Sequence, residues 1–437
     1  MVPFPMLLIY THRVTDRVKY TFGLIFNSIL GITFEITTDK EYFKKFEGAK
    51  LSYGEKFGVN EVFYHAAPFL YSTELKKPGL VITKNLEEKI LFIISDTDMV
   101  FDPFAASFYL VSRYEEYLTA PSDVHGRFSS GQSLAGKHGF LDKPVVDLWA
   151  EGIKKNILEK YPFFKFPERK YSYTPTIDID NAYAYRGKNM TRTLGGYLKA
   201  IAKGNGEDFK KRKNVLDGKE KDPFDTYELQ FELHEKYDLK PIYFFLLADW
   251  APNDKNLPHD SPLMRSLIKD IAEKADIGIH PSFASNQNPE KVKVEEKRLR
   301  EITGKKTTKS RQHFLMLKFP NTYRDLLAAG ITDDYTMGYA DETGFRAGIC
   351  TPFKWYDLEK EQETTLTIHP FAVMDGTLNG YLKLSPEQAV EKIKEVVKEV
   401  KNVNGVFITV WHNETLSDWR EWKGWKDVYR KMIQAAT

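Results

Sequence analysis

From about residue 170 onward, segments typical of β-strands alternate with segments typical of helices. The apolar run at residues 240–250 (KPIYFFLLADW), for example, is followed by the amphipathic stretch at 262–275 (PLMRSLIKDIAEKA). A chain that returns through a helix after each strand builds parallel strands, because parallel neighbours need a long crossover connection. The pattern therefore predicts a parallel sheet, most simply closed into a barrel.

The first part of the chain reads differently and predicts a separate unit. Short strand-like runs occur at residues 7–10, 31–39 and 91–95, and a helical pattern occupies 147–161. A chain of 437 residues with 42% hydrophobic content is long enough for two or three domains. We expect an α/β protein in which residues 1–165 form a smaller mixed α/β domain and residues 166–437 form the barrel.

Composition excludes several classes of function. The 63 basic and 61 acidic side chains leave a net charge of only +2, which does not favour a nucleic-acid partner. The single cysteine, Cys350, excludes an intrachain disulfide and a cysteine-rich zinc site. The N-terminus lacks the basic region and long apolar stretch of a signal peptide, and no apolar run is long enough to span a membrane. These features predict a cytoplasmic protein.

Polar residues fall at the ends of four predicted strands. Asp178 and Asp180 end the strand TIDID, and His280, His313 and His412 end or lie in three others. Residues i and i+2 of a strand share a face, and the carboxyl ends of parallel barrel strands converge on one site. One Asp and two His form a common ligand set for Zn²⁺, which leaves the other Asp as a base. The alternative is that the two acids lie at a solvated strand end and that each histidine is a surface residue.

Four motifs between residues 170 and 415 resemble those of the polysaccharide deacetylase superfamily (NodB homology, carbohydrate esterase family 4). They are TIDID, IGIHPSFAS, KSRQHF and ITVWHNE. The resemblance implies a metal-dependent deacetylase on a distorted (β/α)7 barrel. It also implies Asp178 as the base, Asp180 and His280 as metal ligands, Arg311 as the partner of the base and His412 as the general acid.

The chain departs from that family's pattern in its second motif. The family has a second metal-binding histidine four residues after the first, and this chain has Ala284 there. We expect His313 to supply the missing imidazole, since it lies two residues past Arg311 on a predicted strand. The alternative is that the ligand is lost and the barrel is a binding module or a weakened enzyme. Arg346, in the segment that replaces the fourth motif, is the candidate for substrate binding.

The resulting functional prediction is a metal-dependent hydrolase that deacetylates an N-acetylated or O-acetylated glycan or sugar. It needs one divalent ion, with Zn²⁺ favoured over Co²⁺, Ni²⁺ or Mn²⁺. The alternatives are a non-catalytic carbohydrate-binding barrel and a metal-dependent hydrolase of a non-sugar amide. A glycosidase is ranked last, because carboxyls two residues apart are more easily bridged by a metal than placed across a glycosidic bond. The N-terminal region resembles a domain found fused to such barrels in bacterial proteins and receives no function, and the oligomeric state is left open.

Overall fold

The computed structural model describes residues 6–78, 101–120 and 123–437. The strand predicted at 91–95 lies outside these residues. The strands are β1 (Leu7–Thr11), β2 (Phe34–Thr37), β3 (Lys50–Tyr53), β4 (Val62–Tyr64), β5 (Ser172–Ile179), β6 (Ile242–Phe245), β7 (Asp276–Ile279), β8 (Lys309–Ser310), β9 (Asp333–Asp334), β10 (Phe353–Asp357), β11 (Gln362–Ile368), β12 (Val373–Met374) and β13 (Val406–His412).

The α-helices occur both before β5 and between the strands that follow it. They are α1 (Asp16–Phe22), α2 (Lys40–Lys45), α3 (Pro103–Val111), α4 (Tyr114–Leu118), α5 (Leu134–His138), α6 (Val145–Lys160), α7 (Met190–Ala202), α8 (Gly206–Leu216), α9 (Tyr227–Lys236), α10 (Pro262–Ala272), α11 (Glu290–Thr303), α12 (Asn321–Ala328), α13 (Pro386–Asn402) and α14 (Trp425–Ala436). A π-helical stretch, Gly23–Ile29, continues α1.

The strands form two sheets, and nearly all of them run parallel. The smaller sheet has the order β2-β1-β3-β4, with parallel pairs throughout. The larger sheet has the order β10-β11-β9-β8-β7-β6-β5-β13-β12, in which β10 and β11 form the antiparallel pair. The predicted α/β class with parallel strands is confirmed. Closure of the larger sheet into a (β/α)7 barrel stays a prediction.

Local sequence explains the central elements of the larger sheet. All four residues of β6 are buried, as expected for a strand covered on both faces. Helix α13 buries one apolar stripe, and Ser385 caps its first turn in a capping box with Gln388. Parallel pairing then brings the carboxyl ends of β5, β6, β7 and β13 to one edge of the sheet.

The prediction of one strand that carries both Arg311 and His313 is mostly wrong. Only Lys309–Ser310 pairs as β8, and a 3-10 turn over His313–Leu315 begins three residues after the strand ends. Phe314 adopts a left-handed conformation with φ of 60°, which an extended strand cannot contain. His313 therefore reaches the sheet edge from a turn rather than from a shared strand face with Arg311, and its N–H donates to Pro281 O at 3.0 Å.

The part of the chain before β5, called the N-terminal half, packs tightly against the part that forms the larger sheet. One hydrophobic cluster contains buried residues from both parts. The buried guanidinium of Arg17 forms two hydrogen bonds with Glu361, at 2.9 and 2.5 Å. Glu116 binds Arg346 at 2.6 Å and Arg113 at 2.7 Å, and all three side chains are at most 3% exposed.

Among the described residues, no helix has the length and apolar character that crossing a membrane requires.

We expect Glu116→Gln to destabilise the protein by about 3–5 kcal/mol, because it leaves the buried guanidinium of Arg346 without a carboxylate and removes one of the two carboxylates that pair with Arg113. Urea unfolding measures this as a lower midpoint. The control is Glu159→Gln, which removes one partner of an exposed ion pair with Lys155. That change should stay within about 0.5 kcal/mol of the wild-type free energy of unfolding. Equal effects of the two substitutions would contradict a shared interior between the two halves.

Candidate metal centre

The site lies where β5 and β13 end side by side. The parallel register pairs Asp178 of β5 with His412 of β13, and Asp180 follows two residues later along the chain. On the other side of β5, strands β6 and β7 end in register, so that His280 comes directly after Ile279 at the same edge. Sheet register therefore brings together residues that lie more than 200 positions apart.

Asp178 is held by a fully buried arginine. Arg311 Nη1 donates to Asp178 Oδ1 at 2.9 Å and to Thr176 Oγ1 at 2.6 Å, and Arg311 Nε donates to Tyr335 O at 3.0 Å. Asp178 is itself only 2% exposed. Burial of a carboxylate is unfavourable without a partner, and Arg311 supplies that partner. The structure thus places Arg311 in direct contact with Asp178, and its role as the partner of a base stays a prediction.

Asp180, His280 and His313 form a compact set of three. Asp180 Oδ1 lies 3.2 Å from His280 Nε2, and Asp180 Oδ2 lies 3.3 Å from His313 Nε2. One ligand atom from each residue lies within 4.8 Å of the other two. A tetrahedral Zn²⁺ bound to N and O ligands at about 2.0–2.1 Å separates its ligand atoms by about 3.3 Å. The spacing of the set therefore fits a divalent ion.

The outer nitrogens of the two imidazoles support the same interpretation. His280 Nδ1 faces the carbonyl oxygen of Arg311 at 2.5 Å, and His313 Nδ1 faces Asp254 Oδ1 at 2.9 Å. Because both contacts are with acceptors, both Nδ1 atoms carry a proton, and a neutral imidazole then has its lone pair on Nε2. Both Nε2 atoms face Asp180, whose buried Oδ1 has no hydrogen-bond partner. Once His313 has released its Nε2 proton, the three side chains offer converging acceptors that fit a bound cation.

Electrostatics within the set are strong. Burial opposes the ionisation of Asp180, but the imidazoles of His313, His280 and His412 lower its pKa well below the ordinary value. Burial likewise opposes a charge on His313, yet the carboxylates of Asp180 and Asp254 raise its pKa to about 9. A divalent cation would replace the protons that now balance these carboxylates.

His412 stands beside the set and has its own carboxylate. His412 Nδ1 lies 2.8 Å from Asp375 Oδ1, and the backbone N–H of His412 donates to Asp375 Oδ2 at 2.7 Å. Its Nε2 lies 3.9 Å from Asp180 Oδ2. Although burial opposes the charged form, Asp375 together with Asp180 and Asp178 raises the pKa of His412 well above its usual value. A protonated imidazole in this place can serve as an acid.

Sequence reasoning missed the two acids that orient these histidines. Asp254 and Asp375 are at most 1% exposed. Asp249, at the end of the apolar run that contains β6, is by contrast exposed and pairs with Arg298 and Lys291. Asp375 had a usable signal, since it directly follows a short parallel strand, β12. Asp254 had none, because it lies within an irregular loop.

Asp254 also contacts the backbone at Ala284, the position where the family has its second histidine. Its carboxylate accepts the backbone N–H groups of Phe283 and Ala284, at 2.8 and 3.2 Å, besides binding His313. The loop after His280 and the turn that carries His313 therefore share one anchor.

Arg346, predicted to bind substrate, is placed differently from the other predicted residues. It is buried, pairs with Glu116 through two hydrogen bonds and donates to Gly338 O. These contacts commit its guanidinium to the protein interior. A role in substrate binding stays a prediction that the geometry of Arg346 does not favour.

We expect Asp254→Asn to weaken Zn²⁺ binding by about 10–100-fold, because the carboxylate that orients His313 becomes a neutral amide. Titration of the protein with Zn²⁺ in competition with a chelator measures the affinity directly. The control is Asp249→Asn, an exposed acid of the same loop, which should leave the affinity unchanged. Equal affinities for wild type and Asp254→Asn would contradict the orienting role.

Comparisons with known proteins are limited in reach. A family of unknown function, DUF7033, matches residues 7–162, and the search of curated proteins found no match.

A presumed polysaccharide deacetylase from Mycobacterium smegmatis is 14% identical, with 62% of this chain and 85% of that chain covered and a TM-score of 0.39. A polysaccharide deacetylase from Bacillus cereus is 10% identical, with 61% and 88% covered and a TM-score of 0.29. A glycoside hydrolase family 138 enzyme that targets pectin rhamnogalacturonan II is 12% identical, with 99% and 64% covered and a TM-score of 0.24. At these identities and scores the structural comparisons assign neither a family nor an activity.

Proposed function

We propose that the protein is a metal-dependent hydrolase that removes the acetyl group from an N-acetylated or O-acetylated glycan or sugar. The observation that carries the proposal is the convergence of Asp180, His280 and His313, with a separate buried ion pair, Asp178–Arg311, next to them. Two ligand imidazoles, one ligand carboxylate and a second carboxylate left for proton transfer are the parts that metal-assisted amide or ester hydrolysis needs.

Asp180, His280 and His313 would hold one divalent ion, with Zn²⁺ favoured by the mixed N and O ligands. When bound, the ion supplies a water of lowered pKa and polarises the acetyl carbonyl. The hydrogen bonds at Nδ1 of His280 and His313 would hold both rings in the orientation in which Nε2 faces the ion.

Asp178 is the proposed general base. Its Oδ2 lies 3.8 Å from His280 Nε2, so this carboxylate borders the proposed ligands without belonging to their set. The contact with Arg311 holds the carboxylate in one orientation, in which it can accept the proton of the attacking water.

His412 is the proposed general acid. Its link to Asp375 keeps Nδ1 protonated and directs Nε2 toward the site, where 19% of the side chain is open to solvent. A departing amine is a poor leaving group until it gains a proton, and a raised pKa keeps that proton available at neutral pH.

The architectural part of the proposal follows the same reasoning. We assign the site to a (β/α)7 barrel over residues 166–437, because its residues collect at the carboxyl ends of parallel strands. Residues 1–165 form the second domain, which packs on the barrel and for which the site gives no separate activity.

The test is a metal analysis combined with an acetate-release assay. The purified protein should contain about one equivalent of Zn²⁺ or a related ion, and it should release acetate from at least one member of a panel of acetylated glycans. Absence of stoichiometric metal and of acetate release would favour a non-catalytic carbohydrate-binding barrel. Bound metal without release from acetylated sugars, together with hydrolysis of other amides, would favour the non-sugar hydrolase.

Two substitutions separate the roles of the paired acids. Asp178→Asn should lower acetate release by about 10²–10⁴-fold while metal content stays near wild type, because it removes the base but no ligand. Asp180→Asn should lower the metal content itself. Full activity of Asp178→Asn on a confirmed substrate would show that the assignment of the base is wrong.

A further inference from the structure

The connection between β5 and β6 carries a helical hairpin, α7 and α8, that the proposed chemistry does not use. The two helices pack on each other through their inner faces, where Ala200 is buried and the guanidinium of Arg212 lies against Gly196. A Cβ atom at position 196 would come within 2.5 Å of Arg212. The hairpin is therefore a packed unit whose outer face is a defined surface.

The outer face of α7 is apolar and exposed. Its stripe consists of Met190, Leu194, Leu198 and Ile201, which are 89%, 61%, 58% and 63% exposed. Spacings of four, four and three residues place them on one side of the helix. Burying these side chains is favourable, and a row of four exposed together is unusual on a protein surface without a binding role.

The apolar surface continues from α7 onto α8. The ring of Tyr197 contacts Phe209 with centroids 4.9 Å apart, and Phe209 and Leu216 on α8 are 37% and 40% exposed. The two helices thus present one joint surface rather than two separate patches.

The hairpin and the segments that flank it carry an excess of positive charge. Residues 186–221 contain eleven Lys and Arg against four Asp and Glu, a formal charge of +7, whereas the whole chain carries +2. Lys199, Lys210 and Lys213 are exposed on the two helices, and Lys203 is exposed directly after α7. The small net charge of the chain conceals this local excess.

The hairpin is attached to the edge of the sheet that carries the metal centre. Arg192 on α7 donates to Lys255 O at 2.7 Å and to Asn256 O at 3.0 Å. The neighbouring residue in that loop is Asp254, which orients His313. A partner bound to the hairpin would therefore lie close to the loop that carries Asp254.

We propose that the α7–α8 hairpin docks on the surface of an anionic lipid bilayer. An exposed apolar stripe on a helical unit rich in Lys and Arg is the pattern of a helix that lies in the membrane interface, with its apolar side chains among the acyl chains and its cations near anionic headgroups. A second copy of the chain fits less well, because a two-fold contact would bring two +7 surfaces together. The proposal does not depend on the proposed enzymatic function.

The test is sedimentation of the full chain with sucrose-loaded vesicles. Wild type should sediment with phosphatidylcholine vesicles that contain phosphatidylglycerol, more weakly at high salt, and far less with phosphatidylcholine alone. The double variant Leu194→Glu/Leu198→Glu should lower the partition coefficient by about tenfold or more. The matched control is Phe163→Glu, which changes an apolar side chain that is 95% exposed in the N-terminal half and should bind like wild type.

Thermal unfolding of each variant checks that the fold is intact, which we expect because the changed side chains are exposed. Failure of the wild type to bind anionic vesicles would overturn the proposal, and so would equal binding by the Leu194→Glu/Leu198→Glu variant. A dimer seen by light scattering in wild type and absent in that variant would overturn it in favour of contact between copies of the chain.

Discussion

The buried guanidinium of Arg311 is the group on which the geometry of the site depends. Its Nη1 binds Asp178 at the end of β5, its Nε binds Tyr335 O after β9, and its own carbonyl accepts the Nδ1–H of His280 after β7. Burying an arginine costs free energy that its hydrogen bonds offset. Nη2 has no partner, but the contacts of Nη1 and Nε tie the ends of β5 and β9 to Arg311. One residue thereby positions the proposed base and one proposed ligand.

The histidines of the site are oriented by one repeated arrangement. Asp254 fixes Nδ1 of His313 and Asp375 fixes Nδ1 of His412, in each case leaving Nε2 directed toward Asp180. Both carboxylates come from segments outside the long strands. The N-terminal half adds to the support, because Arg127 donates to Phe314 O at 3.0 Å and so holds the turn that carries His313. Residues far apart in the chain therefore together orient the imidazoles.

The surface around the site combines two contrasting environments. On one side the N-terminal half is packed through a common hydrophobic interior and buried ion pairs such as Arg17–Glu361. On the other side the α7–α8 hairpin leaves four large apolar side chains in solvent and is tied to the Asp254 loop through Arg192. The packed N-terminal half suits a fixed support for the site. The exposed apolar hairpin suits contact with a partner such as the proposed membrane surface.

The sequence by itself determined the α/β class, the order of most strands and helices, and the polar ends at Asp178, His280 and His412, because strand and helix periodicity are local properties. It did not determine the turn at His313, since the positive φ of Phe314 has no local signal and depends on contacts such as that with Arg127. It also could not reveal Asp254, whose role exists only once an irregular loop folds against His313. Tertiary structure decided these features because each depends on a contact between residues distant in the chain.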